Sequence, residues 1–358
     1  MQKYFDRIVR SIREMISFDS SQTPPEDGMP FGRGAAKCLG AFLALADSLG
    51  FQTRNYDNYA GEVVFGEGEE FAILCHLDVV PAGGGWTHPP FGGEIEDGKL
   101  FGRGAMDDKG PAVICLYCLK ALKDEGFAPR KKIKLIVGCN EESGWACIER
   151  YNRCAHMPET GFSPDADFPV IYAEKGILHF KAAFPLGNAP FTKLYGGERA
   201  NMVCAFASAE GVKEAAGYEK SGLTYKDGAL CARGVSAHAS TPDEGENALG
   251  KLLAFFTVQN EGVKRAYDIL FADSLGLKKF ADETGGLTMS PDVAEYEDGT
   301  LYITTDIRYP ATMKQKDVTD VLDRAGVRYE LLHCQPPLFN DKDGELVRTL
   351  LEVYEERT

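Results

Sequence analysis

The stretch Phe71-Ala72-Ile73-Leu74-Cys75-His76-Leu77-Asp78 is a short, unbroken apolar run ending in a histidine and a carboxylate. A strand that alternates apolar and polar residues has one wet face, so an uninterrupted run reads as a strand covered on both faces, as in a parallel sheet. Pro111 to Leu122 reads as a helix, and Ile133-Lys134-Leu135-Ile136-Val137 reads as the next strand. Strand, helix, strand in that order predicts an α/β layer whose ligands gather at the carboxyl ends of the strands. Upstream, residues 3–17 and 34–49 carry apolar residues at helical spacing, the second ending at Gly50.

The pattern changes after Lys175-Gly176. Ile177 to Phe184 alternates, Leu301 to Ile307 is again strand-like, and a helix near 312–325, a strand near 327–333 and a last helix from Glu345 to Glu356 follow. This predicts an α+β unit inserted into the α/β domain. The expected division is 1–175 plus 338–358 for the first and 176–337 for the insert.

The chain has 358 residues, 44% hydrophobic and 26% charged, with a formal net charge of −15. That composition is ordinary for a folded globular protein. The sign of the charge speaks against a phosphate-backbone ligand, so nucleic acid is not an expected partner. No run approaches the roughly 18 apolar residues of a membrane span, and the amino terminus lacks a signal-peptide core, so neither membrane nor export is expected. The 10 cysteines are scattered, mostly inside apolar runs, which suits a reduced, cytoplasmic protein. Cys115 and Cys118 have C-x-x-C spacing but sit in a buried-helix composition and read as core packing.

The chemistry-bearing residues fall just after the predicted strands and at one helix start. His76-Leu77-Asp78 puts an imidazole and a carboxylate on one side of an extended backbone. Gly104-Ala105-Met106-Asp107-Asp108-Lys109-Gly110 leads into a helix, where paired aspartates are either caps or metal ligands. Asn140-Glu141-Glu142-Ser143 follows the second strand, and Ser163-Pro164-Asp165-Ala166-Asp167 is taken alone only a turn. One histidine with several carboxylates, and no cysteine cluster, is the donor set of a co-catalytic metal hydrolase rather than a structural zinc site.

The series His76-Leu77-Asp78-Val79-Val80-Pro81, Trp86, Pro90-Phe91, Gly102-Arg103-Gly104, Asp107-Asp108-Lys109-Gly110, Glu141-Glu142-Ser143 and Pro164-Asp165-Ala166 resembles the zinc exopeptidases that include aminoacylase, glutamate carboxypeptidase and succinyl-diaminopimelate desuccinylase. Within them the chain most resembles the bacterial peptidase V dipeptidases, from Trp86 to Gly110 and again from Phe162 to Gly176. The resemblance implies a catalytic domain with a mostly parallel sheet flanked by helices and an inserted lid domain. It implies that His76 and Asp165 bind one zinc, that Asp107 bridges two, and that Glu142 binds the second. Manganese or cobalt would suit the same donors. Asp78 would orient His76, Glu141 would be the general base, and Asp108 would shape the turn without ligating.

In the insert, Gly234-Val235-Ser236-Ala237-His238-Ala239 resembles the family's lid motif, whose histidine stabilises the oxyanion. Asn201 and Arg308 resemble lid positions that hold the substrate, Arg308 through its terminal carboxylate. His88, His156, His179 and His333 match no ligand position and are expected to be structural.

The family places its last metal ligand, a histidine, in a C-terminal segment, and no histidine follows His333. Three readings therefore stay open: a dipeptidase whose C-terminal part is absent from the sequence, a shortened homologue without peptidase activity, and a hydrolase of N-acyl amino acids of the aminoacylase or carboxypeptidase type. A dipeptide is the expected substrate. The long insert predicts a monomer.

Overall fold

The computed structural model describes residues 2–213 and 215–358. They form two compact units that divide between Asp167 and Phe168.

In the first unit the helices are α1 (Phe5–Ile16), α2 (Arg33–Ser48), α3 (Lys109–Asp124) and α4 (Ala146–Cys154). The strands are β1 (Gln52–Tyr56), β2 (Ala60–Phe65), β3 (Glu70–His76), β4 (Glu94–Glu96), β5 (Lys99–Phe101), β6 (Lys132–Gly138) and β7 (Gly161–Phe162). β4 and β5 form a hairpin of their own; the main sheet has the order β1-β2-β6-β3-β7. β6, β3 and β7 are parallel, and β2 runs antiparallel between β6 and β1, so four of the five strands point the same way in a mixed sheet.

The unbroken apolar run in β3 has a direct cause. Ile73 and Cys75 face one way, into a core with Leu135, Val137, Leu39, Phe42 and Leu116, while Ala72 faces the other, into a cluster with Ile136, Tyr56 and Tyr151. Both faces are covered, so no position between Phe71 and Cys75 is left to be polar. The register His76↔Gly138 ends β3 and β6 side by side. The chain therefore leaves the sheet at His76-Leu77-Asp78 and at Cys139-Asn140-Glu141-Glu142 as neighbours.

The second unit is built on β8 (Ala173–Glu174), β9 (Gly176–Pro185), β10 (Lys193–Gly196), β11 (Phe206–Glu210), β12 (Thr224–Lys226), β13 (Ala229–Arg233), β14 (Ala281–Asp282), β15 (Gly285–Gly286), β16 (Thr288–Glu297), β17 (Thr300–Tyr309), β18 (Arg328–Gln335) and β19 (Leu338–Phe339). An antiparallel sheet of eight strands runs β12-β13-β11-β10-β16-β17-β9-β18. α5 (Ala248–Phe256), α6 (Glu261–Leu270) and α7 (Gln315–Arg324) cover one face of it. Here the period of two is clear: Leu178, Phe180, Ala182 and Phe184 of β9 are buried under those helices, and Ile177, His179, Lys181 and Ala183 lie on the opposite face. α8 (Glu345–Glu355) follows, and β19 pairs with β8.

That ladder draws residues 168–175 and 338–358 into the second unit. The expected division had placed both segments with the first. All ten cysteines are free. Cys115 packs against the core, but Cys118 is exposed on α3, because only one stripe of that helix faces the sheet. Among the described residues no helix is long and apolar enough to cross a membrane.

Candidate active site

His76 is the last residue of β3, and its side chain is 2% exposed. Its Nδ1 lies 3.0 Å from the carbonyl oxygen of Asp78. A carbonyl only accepts, so Nδ1 carries the hydrogen, and the neutral ring keeps its lone pair on Nε2. Nε2 meets Asp107 Oδ1 at 2.9 Å, Asp165 Oδ2 at 3.2 Å and Glu141 Oε2 at 4.0 Å. These carboxylates come from three separate segments: the turn before α3, the turn after β6 and the turn after β7. The structure thus brings together four residues that lie as far apart as 76 and 165 in the chain.

Asp78 makes a bond that spacing does not reveal. Its buried carboxylate accepts the backbone N–H of Glu141 at 3.0 Å and of Glu142 at 3.1 Å. Its distance to His76 Nδ1 is longer, 3.5 Å. Asp78 meets His76 Nδ1 through its carbonyl oxygen, while its side chain holds the turn that carries the two glutamates.

Asp108 is fully buried and accepts the backbone N–H of His76 at 3.0 Å through Oδ2, while its buried Oδ1 has no partner. It makes no side-chain cap for α3, so the capping explanation of the paired aspartates does not hold at that position. The turn is tight. A Cβ on Gly110 would sit 2.0 Å from the carbonyl oxygen of Ala105, which leaves no room for any other residue.

The electrostatics follow from packing six carboxylates (Asp78, Asp107, Asp108, Glu141, Glu142, Asp165) around one imidazole. Burial alone would lower the His76 pKa, but Asp107, Asp165 and Asp78 outweigh it and hold the ring well above the usual histidine range. Burial pushes Glu141 up to about 7, with Glu142 and Asp165 adding to the rise against the opposing pull of His76. Burial likewise pushes Asp108 up to about 7 and raises Glu142, next to Asp107. His76 lowers Asp107.

This arrangement fits a divalent cation. A ring whose only lone pair faces carboxylate oxygens at 2.9 and 3.2 Å must either take a second proton or share a positive ion with them. The orphaned Oδ1 of Asp108 marks the same excess of negative charge. Two overlapping groups have ligand atoms within 4.8 Å of one another: His76, Asp107 and Glu142, and His76, Asp108 and Asp165. One nitrogen with carboxylate oxygens suits hard or borderline ions. The first three of the expected ligands and Glu142 all belong to these groups. Asp108, expected to stand outside the ligand set, belongs to the second.

Sequence reasoning missed the residues that brace this turn. Lys109 is fully buried, and its Nζ donates to the carbonyl oxygen of Phe18 at 2.7 Å. Ser20 Oγ, also buried, donates to the carbonyl oxygen of Leu77 at 2.6 Å. The adjacency of Lys109 to Asp107-Asp108 was the one available signal for it; Ser20 had none.

The other expected site residues lie in the second unit. Met202 and His238 form a backbone bridge, and Ala239 N–H donates to the Asn201 carbonyl at 3.0 Å, so Asn201 and His238 are neighbours. His238 is exposed. Its Nδ1 accepts from Ser240 N–H at 3.2 Å and lies 2.7 Å from Ser240 Oγ, which leaves Nε2 as the N–H of the neutral ring. A free ring N–H is a donor for a developing negative oxygen. Arg308 is on β17, with Nε 2.8 Å from Asp306 Oδ1 and Nη2 2.9 Å from Asp306 Oδ2.

Residues 72–358 match the family described as Peptidase family M20/M25/M40. The "Putative dipeptidase YtjP" of Bacillus subtilis (strain 168) is 36% identical over 388 residues that cover 97% of this chain and 83% of that protein. The Beta-Ala-Xaa dipeptidase of Lactobacillus delbrueckii subsp. lactis is 33% identical over 391 residues, covering 99% and 83%. In fold, the chain is similar to the metallo-carboxypeptidase Sso-CP2 of Sulfolobus solfataricus, with a TM-score of 0.57 at 15% identity over 98% of this chain and 83% of that one.

Proposed function

The chain belongs to Peptidase family M20/M25/M40 and is a metallopeptidase, and from that premise we propose that it hydrolyses dipeptides with metal-dependent activation of water. The observation that carries the reading is the convergence of Asp107, Asp165 and Glu141 on Nε2 of a buried histidine whose Nδ1 is tied to a carbonyl. The dipeptide class rests on the names of the two relatives at 36% and 33% identity.

His76, Asp107 and Asp165 would hold one divalent ion and Asp107 with Glu142 a second, zinc by preference and manganese or cobalt in its place. Ions held there would supply Lewis acidity, polarising the scissile carbonyl and lowering the pKa of water.

The remaining work falls to side chains. Glu141, pushed up to about 7 by burial, accepts a proton from the attacking water and returns it to the departing amine nitrogen as the C–N bond breaks. Asp78 keeps Glu141 and Glu142 in register by holding both of their N–H groups. His238 donates Nε2–H to the oxygen that gains charge. Asn201 and Arg308 hold the substrate, Arg308 by its terminal carboxylate.

On the same reading 176–337 acts as the lid, the chain works as a monomer, and it resides in the cytoplasm, where ten free cysteines stay reduced.

Glu141→Gln is the test. Turnover of an unblocked dipeptide is expected to fall by roughly 10²–10⁴ with bound metal unchanged by elemental analysis. Loss of metal in that variant would mean that Glu141 is a ligand and that the base is elsewhere.

A further inference from the structure

Arg308 sits in a network that joins its near neighbour Asp306 to the distant His179. Across the face of the large sheet opposite its helices, the register places Ser290 beside Asp306, Asp306 beside His179, and His179 beside His333. Asp306 is fully buried. Its Oδ1 takes Nε–H of Arg308 at 2.8 Å, and its Oδ2 takes Nη2–H of Arg308 at 2.9 Å together with Nε2–H of His179 at 2.9 Å. The side chains of Arg308 and His179 are 16% and 18% exposed, so the network is sheltered but not closed to solvent.

A guanidinium has five N–H groups in a rigid fork. Asp306 occupies the edge made by Nε and Nη2. The edge made by Nη1 and the second hydrogen of Nη2 remains, and it matches a carboxylate by two parallel bonds. Burial would raise the Asp306 pKa, but His179 and Arg308 outweigh it and keep the group ionised. The other buried carboxyl nearby, Asp292, is pushed up to about 9 by burial, with the Arg308 guanidinium pulling it the other way.

We propose that Asp306, itself held by His179, is a positioning residue that locks Arg308 with its terminal edge toward the substrate's C-terminal carboxylate. This rests on the reading of Arg308 as the substrate anchor. A flexible arginine would lose rotamer freedom on binding. One locked in advance has already lost it, so the network should act on affinity for the free acid and on little else.

Binding is measured by calorimetry with the metal-loaded full chain and an unhydrolysable dipeptide analogue, its peptide link replaced by a methylene-amine, as the free acid and as the C-terminal amide. The unaltered protein should prefer the acid, and Arg308→Gln should erase that preference. Asp306→Asn should weaken the acid about tenfold and leave the amide within about twofold, and His179→Gln should weaken the acid by a smaller factor in the same direction. Absence of any acid preference in the unaltered protein would overturn the anchor reading and this inference with it. An acid preference lost in Arg308→Gln but retained in both Asp306→Asn and His179→Gln would overturn the positioning role alone. If Asp306→Asn fails to fold, His179→Gln decides: full retention of the acid preference overturns the proposal.

Discussion

A single residue, Asp78, ties the imidazole of His76 to the turn that carries Glu141 and Glu142. It is buried, and both of its oxygens are spent on backbone N–H groups of the Glu141-Glu142 turn. Asparagine is nearly the same shape but presents one NH₂ where an acceptor is needed, so one of those two N–H groups would face a donor. A buried, unpaired donor costs about 1–3 kcal/mol, and groups behind metal ligands typically change metal affinity or activity by about 10–100-fold when altered. Asp78→Asn is therefore expected to lower kcat/KM on a dipeptide by about 10–100-fold and to displace Glu141 more than His76, whose Nδ1 bond runs to a main-chain oxygen that the substitution keeps. A steady-state assay beside a metal titration checks this. Unchanged kcat with weakened metal would assign Asp78 to the imidazole alone.

At the scale of elements, the first sheet has a charged seam in its otherwise apolar middle. Lys134 of β6 is nearly buried, its Nζ 2.8 Å from Glu70 and 3.7 Å from Glu62, and it donates to the carbonyl of His156 at 3.1 Å. Lys134 lowers the Glu70 pKa to about 2, with Lys132 and His156 adding to the effect against burial. Because the folded pKa lies below the ordinary value near 4.5, the stabilisation is present above about 4.5 and is lost as pH falls toward 2. Lys134→Gln should remove most of that acid-side dependence in thermal melts between pH 2 and 5. It should also cost roughly 3 kcal/mol at neutral pH, since it leaves buried Glu62 without its cation. An unchanged acid limb would mean that Lys132 and His156 hold Glu70 by themselves.

The same elements show what could be read in advance. β3, α3 and β6 were legible because both sheet faces are covered and the apolar run is continuous; Asp78 and Glu141-Glu142 could be found because they follow β3 and β6, and Asp107 because it precedes α3, whereas Asp165 follows the two-residue β7 and stood out only through the resemblance. The antiparallel edge made by β1 and β2 was not legible, since Arg54, Asn55 and Glu62 give no apolar alternation. His179 looked structural because its partner, Asp306, lies 127 residues away, and only the register of β9 against β17 brings them together. The role of the Asp78 carboxylate was hidden for a similar reason: its partners are main-chain groups, which carry no residue type to recognise.

At the scale of the whole molecule, the candidate ligands His76, Asp107, Asp108, Glu142 and Asp165 all lie before residue 168, inside the first compact unit. The second unit has a separate core, centred on Phe180, Leu253 and Ile303, and contributes no residue to either ligand group. An ion that binds only the folded first unit stabilises that unit by mass action, about 4 kcal/mol at a free concentration 1,000 times Kd. Native-state hydrogen exchange with and without a chelator should therefore show slowed exchange for amides of β3, β6 and α3 when zinc is present, each by a similar increment. Amides of β9, β16 and β17 should change little, because their opening does not release the ion. Equal protection of both groups would mean that the two units unfold together, and no protection of β3 and β6 would mean that the carboxylates around His76 hold no metal.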